Sequence, residues 1–171
     1  SGQSTPEEKY MWTYTVRDYL RASLIKTLYL ALQKKSTCIT VFPRVHVYAA
    51  RSSSISGQGK LLLGTRWDHL AYLPSEFYLG EEARIVVNGR MFINTGLHIC
   101  VNRGAMLTLG GGGGASNNLT IDCFESISIG KGVGIGKGVT IRDSDSHTIN
   151  VNMEISAPIV IEDNAWIAFN A

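Results

Sequence analysis

The turn Asp143-Ser-Asp-Ser-His147 sets an imidazole beside two carboxylates. Imidazole titrates near neutral pH, so His147 is suited to take a proton from a hydroxyl and later return it to a leaving group. Asp143 or Asp145 could orient that ring, as a carboxylate does in a catalytic triad. The same two acids could equally make side-chain-to-backbone turn bonds, and the histidine could simply face solvent. Upstream, Asn118 could position a bound hydroxyl or His147, or could belong to an asparagine ladder or Asx-turn. Asp122 could bind a hydroxyl or lie idle on the surface. The other histidines, His46, His69 and His98, are isolated and form no close-spaced pair. Catalytic zinc takes three protein ligands and an open position, so no metal is expected.

Something regular must hold these groups, and it is visible just before the turn. Ile129, Ile135 and Ile141 stand six apart, with Val133 and Val139 repeating the step and Gly130 and Gly136 each following an isoleucine. Six residues make one flat side of a parallel β-helix. The phase extends through Val87, Ile93, Ile99, then Leu109, Ala115, Ile121, and on to Ile161 and Ile167. Each triplet predicts a three-sided coil of about eighteen residues, with every insert at the same corner. The residue two before each key position is often apolar too, as at Ile85, Met91, Leu97, Leu107, Leu119 and Ile127. Strand alternation sends both to one face.

The remaining segments frame this repeat. Residues 6–35 are expected to form a helix or two short ones, with Leu20, Leu24, Leu28 and Leu32 on one face and basic residues around it. That face would pack on the solenoid or a neighbouring subunit, the alternative being peripheral contact with an anionic membrane. Residues 1–37 are therefore set apart as a helical segment, and 38–171 as the solenoid domain. Within the latter, 38–64 is expected to be an irregular first coil with a loop at Ser52–Gly59. Residues 65–82, carrying Trp67, Tyr72, Phe77 and Tyr78, are expected to leave as an aromatic-rich excursion. The run Gly110–Gly114 lacks the Lys-Ser/Thr ending of a phosphate loop and reads as a permissive corner. The chain stops partway round a fourth coil, which suggests a shortened version of a longer protein.

Composition narrows the class. With 171 residues, 44% hydrophobic and 18% charged, this is a folded chain with one sizeable core. A net charge of +2, with no basic cluster interleaved with aromatics, argues against nucleic acid. Cys38, Cys100 and Cys123 are odd in number and scattered. They suit free thiols in a reducing cytoplasm, and no secretory signal is visible.

At these residues the chain resembles the hexapeptide-repeat O-acetyltransferases, which include maltose, galactoside and capsular-polysaccharide acetyltransferases. Asn118-Leu-Thr-Ile-Asp122, the SISIGKGVGIGKGVTI run, the turn ending in His147, and Pro158-Ile-Val-Ile-Glu-Asp-Asn-Ala-Trp-Ile167 carry the likeness. Glu162 and Ala168 stand where the family has glycine. The resemblance implies a left-handed parallel β-helix, a homotrimer with sites between subunits, and acetyl-CoA as co-substrate. It implies a saccharide acceptor, with His147 and Asn118 lining the acceptor pocket and Asp122, Asp143 and Asp145 beside it. Trp166 and Ala168 would then lie on the cofactor side. A non-catalytic solenoid for binding or assembly is the competing expectation.

Overall fold

The computed structural model describes residues 22–67, 69–145 and 156–171. Its strands, numbered in chain order, form three parallel sheets. Sheet I stacks β1 (Ile39–Val41), β4 (Lys60–Thr65), β7 (Arg90–Asn94), β10 (Gly114–Ala115), β13 (Gly134–Ile135) and β16 (Trp166–Ile167). Sheet II holds β2 (Val45–Ala49), β5 (Ser75–Leu79), β8 (His98–Val101), β11 (Thr120–Cys123) and β14 (Thr140–Arg142). Sheet III holds β3 (Ser54–Ser56), β6 (Arg84–Val87), β9 (Met106–Leu109), β12 (Ser126–Ile129) and β15 (Ile159–Ile161). Neighbours within a sheet are three strands apart in the chain, so the backbone visits sheets I, II and III in turn. It winds as a three-sided parallel solenoid.

The six-residue phase sets the register. Val87 lies opposite Leu109 and Leu109 opposite Ile129, with Ile129 opposite Ile161. Ile93, Ala115, Ile135 and Ile167 align on sheet I, and Ile99, Ile121 and Ile141 on sheet II. These residues point inward and most are fully buried. Each isoleucine so buried contributes about 1.5–3 kcal/mol relative to exposure. The residues two before them share the interior, which gives the alternating burial of β8, β9, β11 and β12. From Val87 to Leu109 is a step of 22 and from Leu109 to Ile129 a step of 20, longer than eighteen. The extra residues fall at the corner between sheets II and III, after Ile99 and after Ile121.

Three expectations need correction. Residues 38–64 are not an irregular coil: they supply β1 to β4, and β3 lies inside the segment read as a loop. The excursion is shorter than 65–82, because Ser75–Leu79 is β5 and Phe77 is a core residue aligned with Ile99. Within residues 65–82, only the link between β4 and β5 leaves the solenoid. Both errors share a cause. In the first coils the inward positions mix Ile39, Val41, Ile55, Leu61 and Phe77 without the regular isoleucine-glycine punctuation that made later coils legible.

The third correction concerns the N-terminal helix. Its described part, α1, spans Leu24–Lys34 and buries Leu30, while Leu24, Ile25, Leu28 and Leu32 are exposed. The leucine face therefore points away from the solenoid. Beside Leu30, what faces inward is polar and has a clear task. The first coil of a solenoid leaves backbone groups unpaired. Here Thr27 Oγ1 accepts from Val41 N (2.9 Å), Ser23 N donates to Val41 O (2.7 Å), Lys26 Nζ donates to Val45 O (2.5 Å) and Gln33 Nε2 to Ala49 O (3.0 Å). Lys34 Nζ donates to Ala50 O and Ser53 O. The helix caps the edge of β1 and β2 with side-chain hydrogen bonds. Among the described residues no helix is long and apolar enough to cross a membrane.

Gly110–Gly114 lies at the corner between sheets III and I, where successive coils pass very close. A Cβ on Gly113 would sit 2.0 Å from Val133 O, a backbone atom of the next coil. Gly113→Ala should therefore cost about 3 kcal/mol, the upper end for overpacking. That corresponds to a melting temperature lower by about 10 °C. Gly104 has φ +72° and nothing within 4 Å of its Cβ position. Gly104→Asn should stay within about 1 kcal/mol, because asparagine tolerates that conformation. Thermal melts of the two variants against the parent check both.

Candidate functional site

The turn that carries His147 leaves sheet II after β14 and re-enters sheet III at β15, so its ends stand at the II–III corner. His147 itself lies outside the described residues, within 146–155. The two described ends are held together. Ser144 and Ser156 form an antiparallel bridge, and Ala157 N donates to Asp143 O (2.9 Å). Ser156 Oγ donates to Glu125 Oε2 at 2.9 Å. An open cleft at this point is lined by Arg142, Asp143, Ser144, Asp145, Ser156, Ala157 and Ile159.

Asp143 is the anchor of that corner. Its buried carboxylate accepts backbone N–H bonds from Phe124 (2.7 Å), Glu125 (2.8 Å) and Ser126 (2.8 Å). The thiol of Cys123 approaches the same carboxylate at 3.7 Å. These three N–H groups belong to the preceding coil's turn from β11 to β12. The backbone bonding expected of an acid in a turn is therefore present at Asp143, reaching to the coil below. Asp145 is exposed at the rim of the cleft.

Asn118 stands elsewhere, at the corner between sheets I and II. It has φ 60° and is exposed, and its carboxamide occupies the space a Cβ on Gly96 would need, with Oδ1 2.1 Å from that position. The same arrangement recurs. Asn170 (φ 57°) lies over Gly138 and Asn164 (φ 60°) over Gly132, each glycine also at positive φ. Only glycine and small polar side chains enter this region readily, so each coil turns a corner on one of them. Asn118 is thus one member of a repeating structural series. Between it and the described ends of the His147 turn runs the width of sheet II, about four residues or on the order of 13 Å. Within one chain the described residues do not bring the two together.

Asp122 projects from β11 on the outer face of sheet II. There Oδ1 lies 3.5 Å from His98 Nε2, while His98 Nδ1 meets Glu76 Oε2 at 3.0 Å. The imidazole bridges two carboxylates across adjacent strands. Among the described residues no group of three or more His, Cys, Asp or Glu is placed to hold a metal ion.

The thiols beside these acids are poor nucleophiles. Burial first, then the negative charge of Asp143, pushes the Cys123 thiol up from 9.0 to about 12. Cys100 is raised by burial and by Asp122. A raised thiol has a definite consequence for stability. Below pH 9 both folded and unfolded chains keep the Cys123 proton. Above it the unfolded thiol ionises while the folded one does not, so this residue lowers stability as pH climbs from about 9 to about 12. At pH 8 iodoacetamide should leave Cys123 unmodified in the native protein and label it in denaturant, as peptide mass mapping would show.

Trp166 and Ala168 lie on or beside the outer face of sheet I. Trp166 is 71% exposed, and its ring covers Gly134. Three strands away the Phe92 ring covers Gly114 in the same manner. Phe92, Gly114, Gly134 and Trp166 form one outward column in register. Trp67 and Phe169 join these residues to line a largely apolar slot. Ala168 is exposed next to it and not part of the lining. Sequence reading found Trp166 and placed Trp67 on an aromatic-rich excursion, but missed Phe92 and the paired glycines. The signal was present, since each member of the column immediately precedes an inward key position, and two glycines there leave a gap between rings.

Compared with protein-family models, with curated proteins and with solved structures, the chain gives no match.

Proposed function

We propose that this chain is an acetyl-CoA-dependent O-acetyltransferase acting on a saccharide hydroxyl. In this reading it is a left-handed solenoid, assembles as a homotrimer and works in the cytoplasm. The observation that carries the reading is the register. The hexad isoleucines align coil on coil in three parallel sheets, which is the architecture expected of the enzymes that the Asn118-to-Asp122, His147 and Trp166 segments resemble. The separation of Asn118 from the turn at the II–III corner adds a requirement. In the trimer that the resemblance implies, the asparagine of one subunit meets the histidine of the next.

The chemistry then follows from the residues. His147 takes the proton of the acceptor hydroxyl as its oxygen attacks the thioester carbonyl carbon. The carbon–sulfur bond breaks, and the proton passes from His147 to the departing sulfur. A backbone N–H near the site holds the developing oxyanion. Asp143, whose oxygens already accept three backbone N–H bonds, acts by fixing the base of the turn. In this reading Asp145 orients the imidazole or meets the acceptor, and Asp122 meets the acceptor across the subunit interface. The apolar slot walled by Trp166 suits the pantetheine arm of acetyl-CoA.

The second reading, a non-catalytic solenoid for binding or assembly, has one observation in its favour. Asn118 repeats the structural role of Asn164 and Asn170 over a glycine. Free-thiol release from acetyl-CoA, measured with a panel of mono- and oligosaccharides, separates the two. Saccharide-dependent release supports the enzyme. Its absence from a folded, acetyl-CoA-binding protein across the panel supports the module.

A further inference from the structure

The end of the solenoid covered by α1 presents an apolar face within a basic rim. Because Lys26, Thr27, Gln33 and Lys34 turn toward the open edge of β1 and β2, the opposite side of the helix is left bare. It carries Leu24, Ile25, Leu28 and Leu32, between 58% and 83% exposed. A contiguous apolar face of this kind marks a contact surface. With 11 residues and a length of about 16 Å, α1 is too short to cross a bilayer but long enough to lie along one.

The charge around that face is one-sided. Residues 22–67 hold seven Lys or Arg side chains and no Asp or Glu, although the whole chain is nearly balanced at 16 to 14. Arg44 stands at the I–II corner of the first coil and Arg51 at its II–III corner, both exposed, and Lys35 is exposed at the end of α1. The amines of Lys26, Lys34 and Lys60 meet backbone carbonyls rather than carboxylates. Two of these cations hold left-handed conformations, Lys35 at φ 49° and Arg44 at φ 63°. In register, Arg44 takes the corner position filled by Gly96, Asn118 and Gly138 in later coils. A long side chain is strained where those residues are at ease, so the cation is kept there against local preference.

The charge decides what the face takes. A second copy docked end to end would set two acid-free surfaces against each other, which like-charge repulsion disfavours. An anionic lipid surface accommodates both features, with acyl chains around the leucines and headgroup phosphates against the cations. We propose that the α1 end of the solenoid docks on a bilayer rich in anionic phospholipid, inserting the leucine face while Lys35, Arg44 and Arg51 meet lipid phosphates. The helix then lies in the plane of the interface, and the later coils stand away from it. This inference is independent of the acetyltransferase reading.

The test sediments the full chain with vesicles of phosphatidylcholine alone and of phosphatidylcholine mixed with phosphatidylglycerol. Affinity for the anionic vesicles should exceed that for the neutral ones by at least about tenfold and fall as salt is raised. Leu28→Ser combined with Leu32→Ser should weaken it by at least about tenfold. Arg44→Asn combined with Arg51→Gln should do the same and flatten the salt dependence, asparagine being tolerated in the left-handed conformation. Lys131→Gln with Lys137→Gln removes as much charge from exposed positions on a later coil and should leave binding unchanged. The leucine and arginine pairs lie on different segments, so if one variant fails to fold by circular dichroism the other decides. Failure of the folded parent to bind anionic vesicles overturns the proposal. Equal affinity for neutral vesicles, or full binding in either folded pair, does so too. A parent that binds neither vesicle and loses oligomeric mass when Leu28 and Leu32 are replaced would assign the face to a second copy instead.

Discussion

Asp143→Ala is expected to lower the melting temperature by about 10 °C or more. The carboxylate accepts three backbone N–H bonds from one turn of the preceding coil. Hydrogen bonds to a charged group contribute about 1.5–3 kcal/mol each, and three sharing one acceptor do not add fully. A net loss of about 4 kcal/mol corresponds to a shift of that size in a chain of this length. Alanine also leaves the N–H groups of Phe124, Glu125 and Ser126 without their acceptor. Asp143→Asn should lose less, since it keeps one oxygen, yet its NH2 would face donors where the second oxygen stood. A melt within about 2 °C of the parent for the alanine variant would show that the corner does not depend on this residue.

The same residue shows what could be read from the sequence and what could not. The inward columns were legible because a buried β position tolerates few side chains, and six-residue spacing repeats that restriction many times. The eleven hexad residues from Val87 to Ile167 form eight pairs in the expected order for that reason. The corners were harder to read. Asp143 could serve a ligand, a histidine or a backbone turn, and only the position of the neighbouring coil distinguishes these. Asn118 is similar, because its asparagine-over-glycine packing on Gly96 joins residues 22 positions apart. The expectation that the helix packs its leucine face on the solenoid failed for a related reason. Leucines at helical spacing ordinarily mark the packed face, but here the neighbouring surface is an open strand edge. An edge needs hydrogen-bond partners first, so Thr27, Lys26, Gln33 and Lys34 turn inward beside Leu30, and Leu24, Leu28 and Leu32 turn out.

His147→Ala is expected to reduce acetyl transfer by about 10²- to 10⁴-fold, the range for loss of a positioned general base. Melting temperature should remain within about 1 °C, the outcome expected of a residue that serves chemistry rather than packing. Acetyl-CoA affinity should also hold, because the imidazole acts on the acceptor and the departing sulfur rather than on the nucleotide. This separates it from Asp143→Ala, whose loss of transfer would come together with loss of fold. It separates it equally from Trp166→Ala, which should weaken acetyl-CoA binding by about tenfold through loss of an aromatic wall. Unchanged transfer in His147→Ala, measured by thiol release under saturating acceptor, would remove the histidine from the mechanism.

Transfer requires that this solenoid bind acetyl-CoA. Calorimetric titration of acetyl-CoA into the full chain, beside its mass in solution by light scattering, should show saturable binding by a trimer, one molecule per chain. The expected dissociation constant is on the order of 10 µM, with the same affinity in His147→Ala. A folded protein that takes up no acetyl-CoA at millimolar concentration would contradict the acetyltransferase reading.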